Sequence, residues 1–393
     1  MFDPKLNERP ARIEWPLILA LVGLMVFGGV SIYSATMGNW ATTLKQVLWY
    51  VVGVGAASLF CLIPYHSLAR FSLVAYWTTI LLLVAVLIHG IGAFRFGARR
   101  WIDFGFFQFQ PSEFAKLAFI FVQAHFLSRP LDELRLPRIF AKALGMTVLP
   151  FLLILKEPDL GSALVLLPVG LVMMFVGGVP VKYLLRLVGG MGILIALLLV
   201  DILFAPRNWQ IKLEDYQRHR LLVHFGRDFA PRDATPEQRK RARELQQQKS
   251  YHVEQALISV GSGGLTGKGW RQGTQNALGY LPRGVAHNDF IFSVIAEENG
   301  FVGSMGVLAL YTVVLFSGIK IAGRARDRLG KLLAVGVVVL LFSHVFINIG
   351  MNIRLMPVTG IPLPLLSYGG SSVLCSLIAA GILQNVYLYR RSY

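Results

Sequence analysis

Hydrophobic residues occur along this chain in ten runs, separated by short polar stretches and by one long polar segment. A helix needs roughly 20 apolar residues to cross the hydrocarbon core of a bilayer. The runs therefore predict an all-α polytopic membrane protein with about ten transmembrane helices, forming a single integral membrane domain over residues 1–393. The predicted helices cover residues 15–36, 45–63, 72–92, 112–128, 140–156, 159–178, 183–205, 289–321, 331–352 and 366–389.

Two segments interrupt this pattern. The long polar segment, residues 206–288, is predicted to form one large extracytoplasmic loop. Its stretch 231–249 is rich in Arg, Glu and Gln, which predicts either a solvated helix or a flexible insert. The eighth predicted helix carries Glu297, Glu298 and Gly300, and these residues predict a kink or a partly re-entrant segment.

The composition agrees with a membrane protein, because 55% of the residues are hydrophobic and only 15% are charged. The net charge of +17 fits cationic loops that meet anionic membrane lipids or lipid-linked phosphates, and no motif for nucleic acid occurs. Cys61 and Cys375 lie in apolar runs and predict neither a disulfide framework nor a metal site. The first run, starting near Trp15, is too long for a cleaved signal peptide and is expected to remain as the first span.

The distribution of Lys and Arg predicts the orientation, since short cytoplasmic loops carry an excess of both. Basic residues fall in the N-terminal tail, in every second short loop and at the C-terminus. Both termini are therefore expected in the cytoplasm. The 93–111 loop, with Arg95, Arg99 and Arg100, then lies on the opposite side, which is explained if these arginines hold a ligand.

Asp289 is the most informative candidate for chemistry, because it stands where the long polar segment meets the eighth predicted helix. It follows His287 and precedes an apolar stretch that starts at Phe290. Partial burial raises the pKa of an aspartate, and such a carboxylate can act as a general base toward a hydroxyl group. The alternative is an N-cap, the commoner role of Asp at a helix start. The two roles are compatible, and the sequence leaves both open.

Other charged residues also lie at predicted helix starts. Glu113 and Lys116 are three residues apart on one helix face, which fits either a functional pair or an internal ion pair that fixes helix packing. Lys156, Glu157 and Asp159 lie in the short turn between the fifth and sixth predicted helices. That position predicts a charged hairpin tip in water.

Two further segments have an unusual composition. The Gly-rich segment 261–270 offers backbone N–H groups and Lys268, a combination that suits phosphate, although its spacing is not that of a nucleotide P-loop. The segment 357–372 contains three prolines and predicts non-helical backbone that lines a cavity. No zinc-protease motif, Cys/His cluster or serine nucleophile elbow occurs, which argues against hydrolases, zinc enzymes and ATPases.

Eight strings, in order from the third predicted helix to the last, resemble the SEDS family of bacterial shape, elongation, division and sporulation proteins. They are Arg-Trp-Ile-Asp at 100–103, Gln-Pro-Ser-Glu-Phe-Ala-Lys at 110–116, Glu-Pro-Asp-Leu-Gly-Ser at 157–162, Asp-Tyr-Gln-Arg-His-Arg at 215–220, the segment 258–270, His-Asn-Asp-Phe-Ile-Phe at 287–292, Ala-Glu-Glu at 296–298 and the segment 362–372. The strings at 215–220 and 367–371 are more similar to the elongation branch than to the division branch. The family usually has Glu-Arg-His-Thr-Asp where this chain has Val285-Ala286-His287-Asn288-Asp289.

The resemblance implies a peptidoglycan glycosyltransferase in the bacterial cytoplasmic (inner) membrane. Such an enzyme polymerises lipid II at the periplasmic face during cell elongation, releasing undecaprenyl pyrophosphate. It also implies partners, namely a class B penicillin-binding protein, which is a transpeptidase, and other proteins of the elongation machinery. The expected chemistry is a single inverting displacement that forms a β-1,4 linkage.

The resemblance also implies roles for individual residues. The family's essential acid corresponds to Asp289, and its conserved Glu and Lys correspond to Glu113 and Lys116. A leaving pyrophosphate needs cations more than it needs a protonating acid, and Arg100, Lys116 and Lys268 are the candidates, with Glu113 holding Lys116. The other supporting candidates in the matching strings are Asp159, His287, Glu297 and Ser367. The sequence shows no dedicated metal cage, and it leaves open whether Mg²⁺ or Mn²⁺ assists the pyrophosphate.

Three alternatives share parts of this pattern. A lipid II flippase or transporter would also have many spans and buried charge, but such proteins often show inverted repeats and a site at the membrane midplane. No repeat is visible in this chain, and Asp289 lies at the membrane boundary. A non-catalytic scaffold for a cell-wall transpeptidase and another lipid-linked glycan ligase or polymerase are the other two.

Overall fold

The computed structural model describes residues 13–88, 92–95, 98–105, 107–204, 215–227, 229, 235–281 and 284–390. The helices in these ranges are α1 (Trp15–Ala35), α2 (Trp40–Leu62), α3 (Tyr65–Arg70), α4 (Ser72–Leu87), α5 (Pro111–Leu127), α6 (Leu131–Leu134), α7 (Pro137–Lys156), α8 (Leu160–Gly177), α9 (Val181–Phe204), α10 (Asp215–His224), α11 (Pro236–Ser262), α12 (Thr274–Ala277), α13 (Ile291–Arg324), α14 (Arg328–Asn352) and α15 (Gly370–Tyr389).

A long helix stands at each of the ten predicted positions, so the prediction of an all-α membrane protein is confirmed. Among the described residues, eight of these helices are long and apolar enough to cross a membrane. The other two are shorter: α4 has 16 residues and α5 has 17. The polar residues at the start of α5 also reduce its apolar length.

Several helix boundaries differ from the prediction by a few residues, and the two largest differences have local reasons. Helix α2 begins at Trp40 rather than at residue 45, because the Asn39 side chain accepts hydrogen bonds from the N–H groups of Ala41 and Thr42. Helix α4 ends at Leu87 rather than at residue 92. The chain beyond it turns into strands instead of continuing the helix.

A small antiparallel sheet occupies the segment that the sequence predicted as a plain loop. Its strands are β1 (Gly92–Arg95), β2 (Ala98–Asp103) and β3 (Gln108–Phe109), in the order β1-β2-β3. Ile102 pairs with Gly92 on one side and with Phe109 on the other. The sheet holds Arg100 on its central strand, which fixes the direction in which that residue leaves the backbone.

The centre of the bundle is formed by α14 and α15. In the most apolar stretch of each helix, 67% and 89% of the residues, respectively, are buried. Helix α2 packs closely against α15 at Gly381, which has no side chain. A Cβ atom on this residue would lie only 2.6 Å from the carbonyl oxygen of Ala57. Small residues at such contacts allow membrane helices to approach each other. Helix α9, by contrast, is only 6% buried and presents its aliphatic side chains outward.

The long polar segment is largely helical where it is described. Helix α11 covers most of the Arg/Glu/Gln-rich stretch, so the solvated helix is confirmed for residues 236–247, and residues 231–234 lie outside the described part. A capping box at Thr235 and Gln238 starts this helix. Leu222, Val223 and Val253 pack together in a small second apolar cluster that joins α10 to α11.

The two ends of the bundle carry different groups. At one end, Glu14 before α1 accepts a hydrogen bond from Lys320 at 2.6 Å, and its N–H donates to Gln384 near the end of α15. At the other end lie the small sheet, the α7–α8 turn, α10 and the start of α13. The first and last helices therefore meet at the end of the bundle that lies opposite these segments.

Candidate functional site

Asp289 lies in the tight turn that leads into α13. Its N–H donates to the carbonyl of Val285 at 3.1 Å, and its own carbonyl accepts from the side-chain amides of Asn348 and Asn352, both at 3.1 Å. The N-cap of α13 is Phe290, and no side chain caps this helix. The N-cap interpretation of Asp289 is therefore wrong. Its backbone is held by two amides of α14, and its partly exposed carboxylate is left for another role.

The turn is also held by the segment that precedes α15. The Ser367 hydroxyl donates to the carbonyl of Asn288 at 2.6 Å and accepts from the N–H of Leu363 at 2.8 Å. The N–H of Tyr368 donates to the carbonyl of His287 at 2.9 Å, and the rings of these two residues meet edge to face. These contacts give Ser367 and His287 a positioning role, since they fix the backbone on which Asp289 stands.

Three charged side chains from other elements act on Asp289. Burial is the largest influence and raises the pKa of its carboxyl to about 6. Arg220 of α10 and Arg100 of β2 lower this pKa, and the nearby carboxylate of Asp159 raises it. A carboxylate whose pKa is close to neutral pH is both available as a base and strong enough to accept a proton from a polarised hydroxyl.

Both arginines are anchored by backbone carbonyls. The Nε of Arg100 donates to the carbonyl of Glu157 at 3.2 Å, and a second guanidinium nitrogen donates to the carbonyl of Pro158. One guanidinium nitrogen of Arg220 donates to the carbonyl of Thr359 at 3.3 Å. These contacts hold the two guanidinium groups in place near Asp289.

Lys156 is exposed, but the two acidic residues of the α7–α8 turn are buried, so the prediction of a charged hairpin tip in water is wrong for Glu157 and Asp159. Glu157 is 0% exposed and Asp159 is 2% exposed. One carboxylate oxygen of Asp159 accepts from the N–H of Ser162 and caps α8, while the other accepts from the amide of Gln110, both at 3.1 Å. The turn is covered because Arg100 and the segment before α15 fold over it, and a Cβ on Gly161 would lie 2.5 Å from Ile361.

Glu157 carries a buried carboxyl group with no hydrogen-bond partner among the described residues. Burial, and then the charge of Asp159, raise the pKa of Glu157 to about 9, against the lowering effect of Arg100. The folded protein therefore holds this proton at neutral pH. The contribution of the protonated group to stability is complete below the ordinary pKa of 4.5 and is lost as the pH rises toward 9.

This pH dependence predicts the behaviour of Glu157→Gln, which keeps the shape of the protonated group but cannot ionise. Wild-type stability should fall by up to about 1.4 kcal/mol per pH unit between these two pKa values. The thermal unfolding midpoints of the two proteins in detergent should agree at pH 5, and the variant should be the more stable at pH 8.5. A wild-type midpoint that does not fall relative to that of the variant over this range would contradict the burial of an ionisable group here.

Glu113 and Lys116 form an internal ion pair. The ammonium of Lys116 lies 2.7 Å from the Glu113 carboxylate and 2.9 Å from Nε2 of His344 on α14, and Lys116 is 1% exposed. The packing alternative therefore describes this pair. The ammonium of Lys116 is enclosed between α5 and α14, so it is not accessible for the predicted contact with pyrophosphate.

The Gly-rich segment does not form an open phosphate cradle. Its backbone instead pairs with α13, where Gly300 breaks the helix with φ 63° and ψ −160°. The N–H groups of Lys268 and Gly269 donate to the carbonyls of Glu297 and Glu298 at 3.0 Å each, and the carbonyl of Gly264 accepts from the N–H of Phe301. The predicted kink is thus confirmed, and the segment supplies the partners that the broken helix lacks.

Lys268 and Glu297 form an ion pair close to the same break in α13. The Lys268 ammonium lies 2.6 Å from the fully buried Glu297 carboxylate and donates to Thr274 at 2.7 Å. The second Glu297 oxygen accepts from the hydroxyl of Ser259 on α11 at 3.1 Å. Of the predicted site residues, the structure brings Arg100 and Asp159 to Asp289, puts Ser367 and His287 behind it, and places Lys268 and Glu297 at the α13 break.

The whole chain resembles one protein family. The sequence profile of the FtsW/RodA/SpoVE family, described as cell cycle proteins, matches residues 12–392. The chain belongs to this family. It is the SEDS family that the motif strings indicate.

Relatives and solved structures agree with this membership. The peptidoglycan glycosyltransferase MrdB of Escherichia coli (strain K12) is 35% identical over 380 residues, which cover 97% of this chain and 95% of the relative. A structure of a peptidoglycan synthase complex, solved to study the coordination of polymerization and crosslinking, contains a chain with a TM-score of 0.76 and 28% identity, covering 96% of this chain and 98% of that one. The crystal structure of RodA from Thermus thermophilus gives a TM-score of 0.66 at 28% identity, covering 96% and 97%.

Sequence reasoning missed three residues that shape the site of this FtsW/RodA/SpoVE protein. Asn348 and Asn352 lie one helical turn apart in the largely apolar α14. Two amides at this spacing in a membrane helix are a signal for a polar contact. Arg220 ends the string 215–220 that resembles the family, in a short polar helix, but that resemblance assigned no role to this arginine.

Within the described residues, no group of three or more His, Cys, Asp or Glu side chains converges as a set of metal ligands. The charge of Asp159 acts on two other acidic groups of the site, Glu157 and Asp289. Assistance by Mg²⁺ or Mn²⁺ stays a prediction from the pyrophosphate chemistry.

Proposed function

We propose that this protein is a peptidoglycan glycosyltransferase that polymerises lipid II into glycan strands during cell elongation. The observation that carries the proposal is Asp289: a partly exposed carboxylate with a pKa raised to about 6, on a turn held by α14 and by Ser367, with two anchored arginines nearby. The names of the relatives support the same activity. An inverting displacement needs one base and cationic stabilisation of the leaving group, and these residues can supply both.

In the proposed reaction, the Asp289 carboxylate accepts the proton of the 4-hydroxyl of the acceptor N-acetylglucosamine. The oxygen of that hydroxyl forms a bond to C1 of the donor N-acetylmuramic acid as the bond from C1 to the pyrophosphate oxygen breaks. The electron pair of the broken bond leaves with undecaprenyl pyrophosphate. One displacement converts the α-linked lipid into a β-1,4 linkage, and the proton on Asp289 is then released to water.

The two arginines are the proposed partners of the pyrophosphate. Arg100 was predicted for this role, and Arg220 joins it because both are held beside Asp289 by carbonyls of neighbouring loops. Lys116 and Lys268 are engaged with buried carboxylates and are proposed to act through the scaffold instead. Fixed cations of this kind stabilise the charge that develops on a leaving group without reorganising during the reaction.

The arginines also set the pH at which Asp289 can work. Because Arg220 lowers the Asp289 pKa, Arg220→Gln should raise it, and the acid limb of the pH–rate profile should move to higher pH. Arg220→Lys keeps the positive charge and should keep the limb near its wild-type position, even if its rate is lower. Initial rates of polymerisation between pH 4.5 and 8 measure the acid limb of each protein. An acid limb at the same pH in the wild type and both variants would mean that Arg220 does not influence the pKa of the catalytic base.

The proposed placement in the cell follows from the two ends of the bundle. Glu14 and Gln384 bring the first and last helices together opposite the Asp289 end, which supports two cytoplasmic termini and a periplasmic site in the inner membrane. Residues 206–288 then form the large extracytoplasmic loop. We further propose a class B penicillin-binding protein as partner, since a similar chain occurs in a synthase complex that couples polymerization to crosslinking.

Reconstitution tests the function against its rivals. Purified protein in proteoliposomes with fluorescent lipid II should produce glycan polymer that a muramidase digests. Movement of the label across the membrane without polymer would favour a flippase. The absence of both, with or without an added transpeptidase, would favour a scaffold.

A further inference from the structure

An apolar groove of about 810 Å³ runs along the bundle between α1 and α2. Exposed aliphatic side chains from both helices line it, among them Val22, Val26 and Val30 of α1 and Val47 and Val51 of α2. Its volume falls within the roughly 300–1,000 Å³ of sites that hold small ligands. We call this feature the α1–α2 groove.

Aromatic residues and one cation stand at the mouth of the α1–α2 groove. The ring of Tyr33 lies 4.7 Å from that of Trp40 and 6.0 Å from that of Trp270, which belongs to the Gly-rich segment. The exposed guanidinium of Arg271 lies 5.4 Å from the centre of the Tyr33 ring. Trp and Tyr concentrate where the hydrocarbon core meets the lipid headgroups. The groove therefore runs from the headgroup level into the hydrocarbon.

The length of the groove indicates which lipid fits. From Tyr33 to Val22 the lining of α1 spans 11 residues, about 16 Å of helix. One leaflet accounts for about 15 Å of the hydrocarbon core. That is the depth reached by the acyl chain of a phospholipid, whereas the polyprenyl tail of a lipid-linked sugar is much longer.

We propose that the α1–α2 groove binds one acyl chain of an anionic phospholipid, whose phosphate pairs with the guanidinium of Arg271. Planar guanidinium groups match phosphate oxygens in geometry as well as in charge. The headgroup lies at the mouth, between Tyr33 and Trp270, and the chain lies along the valines. This phospholipid is distinct from the substrate of the proposed reaction.

The floor of the groove connects the bound lipid to the turn that carries Asp289. The hydroxyl of Tyr50, which lines the groove, donates to the carbonyl of Leu365 at 2.6 Å. One turn earlier on α2, the amide of Gln46 donates to the carbonyl of Ser367 at 3.2 Å. The lipid thus packs against the helix that holds the Ser367 segment, and at its mouth it contacts the long loop.

A matched pair of glycines allows the groove to be filled selectively. Gly29 lines the groove, and a Cβ added there would have no atom within 4 Å. Gly55 on α2 has the same open surroundings but does not line the groove. Gly29→Phe therefore adds its bulk in the groove without a clash at Cβ, and Gly55→Phe adds the same bulk elsewhere on the lipid-facing surface.

Native mass spectrometry of the full chain, exchanged into mixed micelles with equal mole fractions of phosphatidylglycerol and phosphatidylcholine, tests the proposal. The wild-type protein should retain one phospholipid and favour phosphatidylglycerol about fivefold, the preference expected from one basic residue at a membrane surface. Gly55→Phe should behave like the wild type, and Gly29→Phe should retain no lipid. Arg271→Gln should still retain one lipid, with the preference for phosphatidylglycerol reduced to about one.

Three results would overturn the proposal. The first is the same number of retained phospholipids in Gly29→Phe and in the wild type. The second is an unchanged preference for phosphatidylglycerol in Arg271→Gln, a conservative change at an exposed position that keeps the fold testable if Gly29→Phe folds poorly. The third is a polyprenyl phosphate lipid, rather than a phospholipid, as the species that the wild-type protein retains.

Discussion

Asp289→Asn is expected to lower the rate of lipid II polymerisation about 10²–10⁴-fold, the usual contribution of a general base. Asparagine keeps the size of the side chain but cannot accept the proton of the attacking hydroxyl. The backbone contacts that hold the turn come from Asn348, Asn352 and Ser367 and do not involve the Asp289 carboxylate. The variant should therefore fold normally and lose its activity.

Purified variants with normalised amounts of protein measure this effect. Asp132→Asn is the matched control, because the Asp132 side chain is 94% exposed and lies in α6, far along the chain from the site. At neutral pH the unfolding midpoint of Asp289→Asn should be at least as high as those of the wild type and of Asp132→Asn, because asparagine removes the cost of burying an ionised carboxyl group. If Asp289→Asn polymerised lipid II as fast as the Asp132 control, the proposed base would have to be another residue.

The second large effect is expected from Gly300→Ala, through folding rather than chemistry. The φ of 63° and ψ of −160° at Gly300 lie in a region that only glycine occupies readily. A Cβ there would lie 2.3 Å from the backbone nitrogen of Gly267 and 2.7 Å from the carbonyl of Leu265. Backbone strain and overpacking together predict a loss of about 2–6 kcal/mol in stability.

Gly306→Ala is the matched control for this change. Gly306 lies in the same helix, is exposed, and has no atom within 4 Å of an added Cβ, so its substitution should not lower stability and should raise it by up to about 1 kcal/mol through helix propensity. The yield of folded protein by size-exclusion chromatography and the unfolding midpoint compare the two variants. Equal midpoints would mean that the Gly-rich segment can move away from the break without lowering the stability of the fold.

The helices of this protein could be predicted from its sequence, since long apolar runs report directly on membrane-spanning structure. The errors lie where contacts between distant parts of the chain decide the outcome. The α7–α8 turn is polar and short, yet Arg100 and the segment before α15 bury it. The strands β1–β3 are only two to six residues long, too short for alternation to stand out from a loop.

The site was predicted only in part, because contacts between distant parts of the chain also shape it. The position of Asp289 at the boundary of an apolar run marked it as unusual, and the family resemblance added its role. The Gly-rich segment was misinterpreted because its N–H groups pair with α13 across about thirty residues of sequence. Arg220 acts on Asp289 from α10, and no local pattern around either residue predicts that approach.

The most direct test of the central claim is the pH dependence of polymerisation by the wild type and by Asp289→Asn, measured side by side as kcat/KM with lipid II well below KM, which reports ionisation in the free enzyme. For the wild type, the rate should fall as the pH drops through the Asp289 pKa of about 6, because the base becomes protonated. For the asparagine variant, the residual rate should be low and should not show this decline. An identical acid limb in both proteins would show that the ionisation governing the reaction belongs to a different group, and would contradict the mechanism.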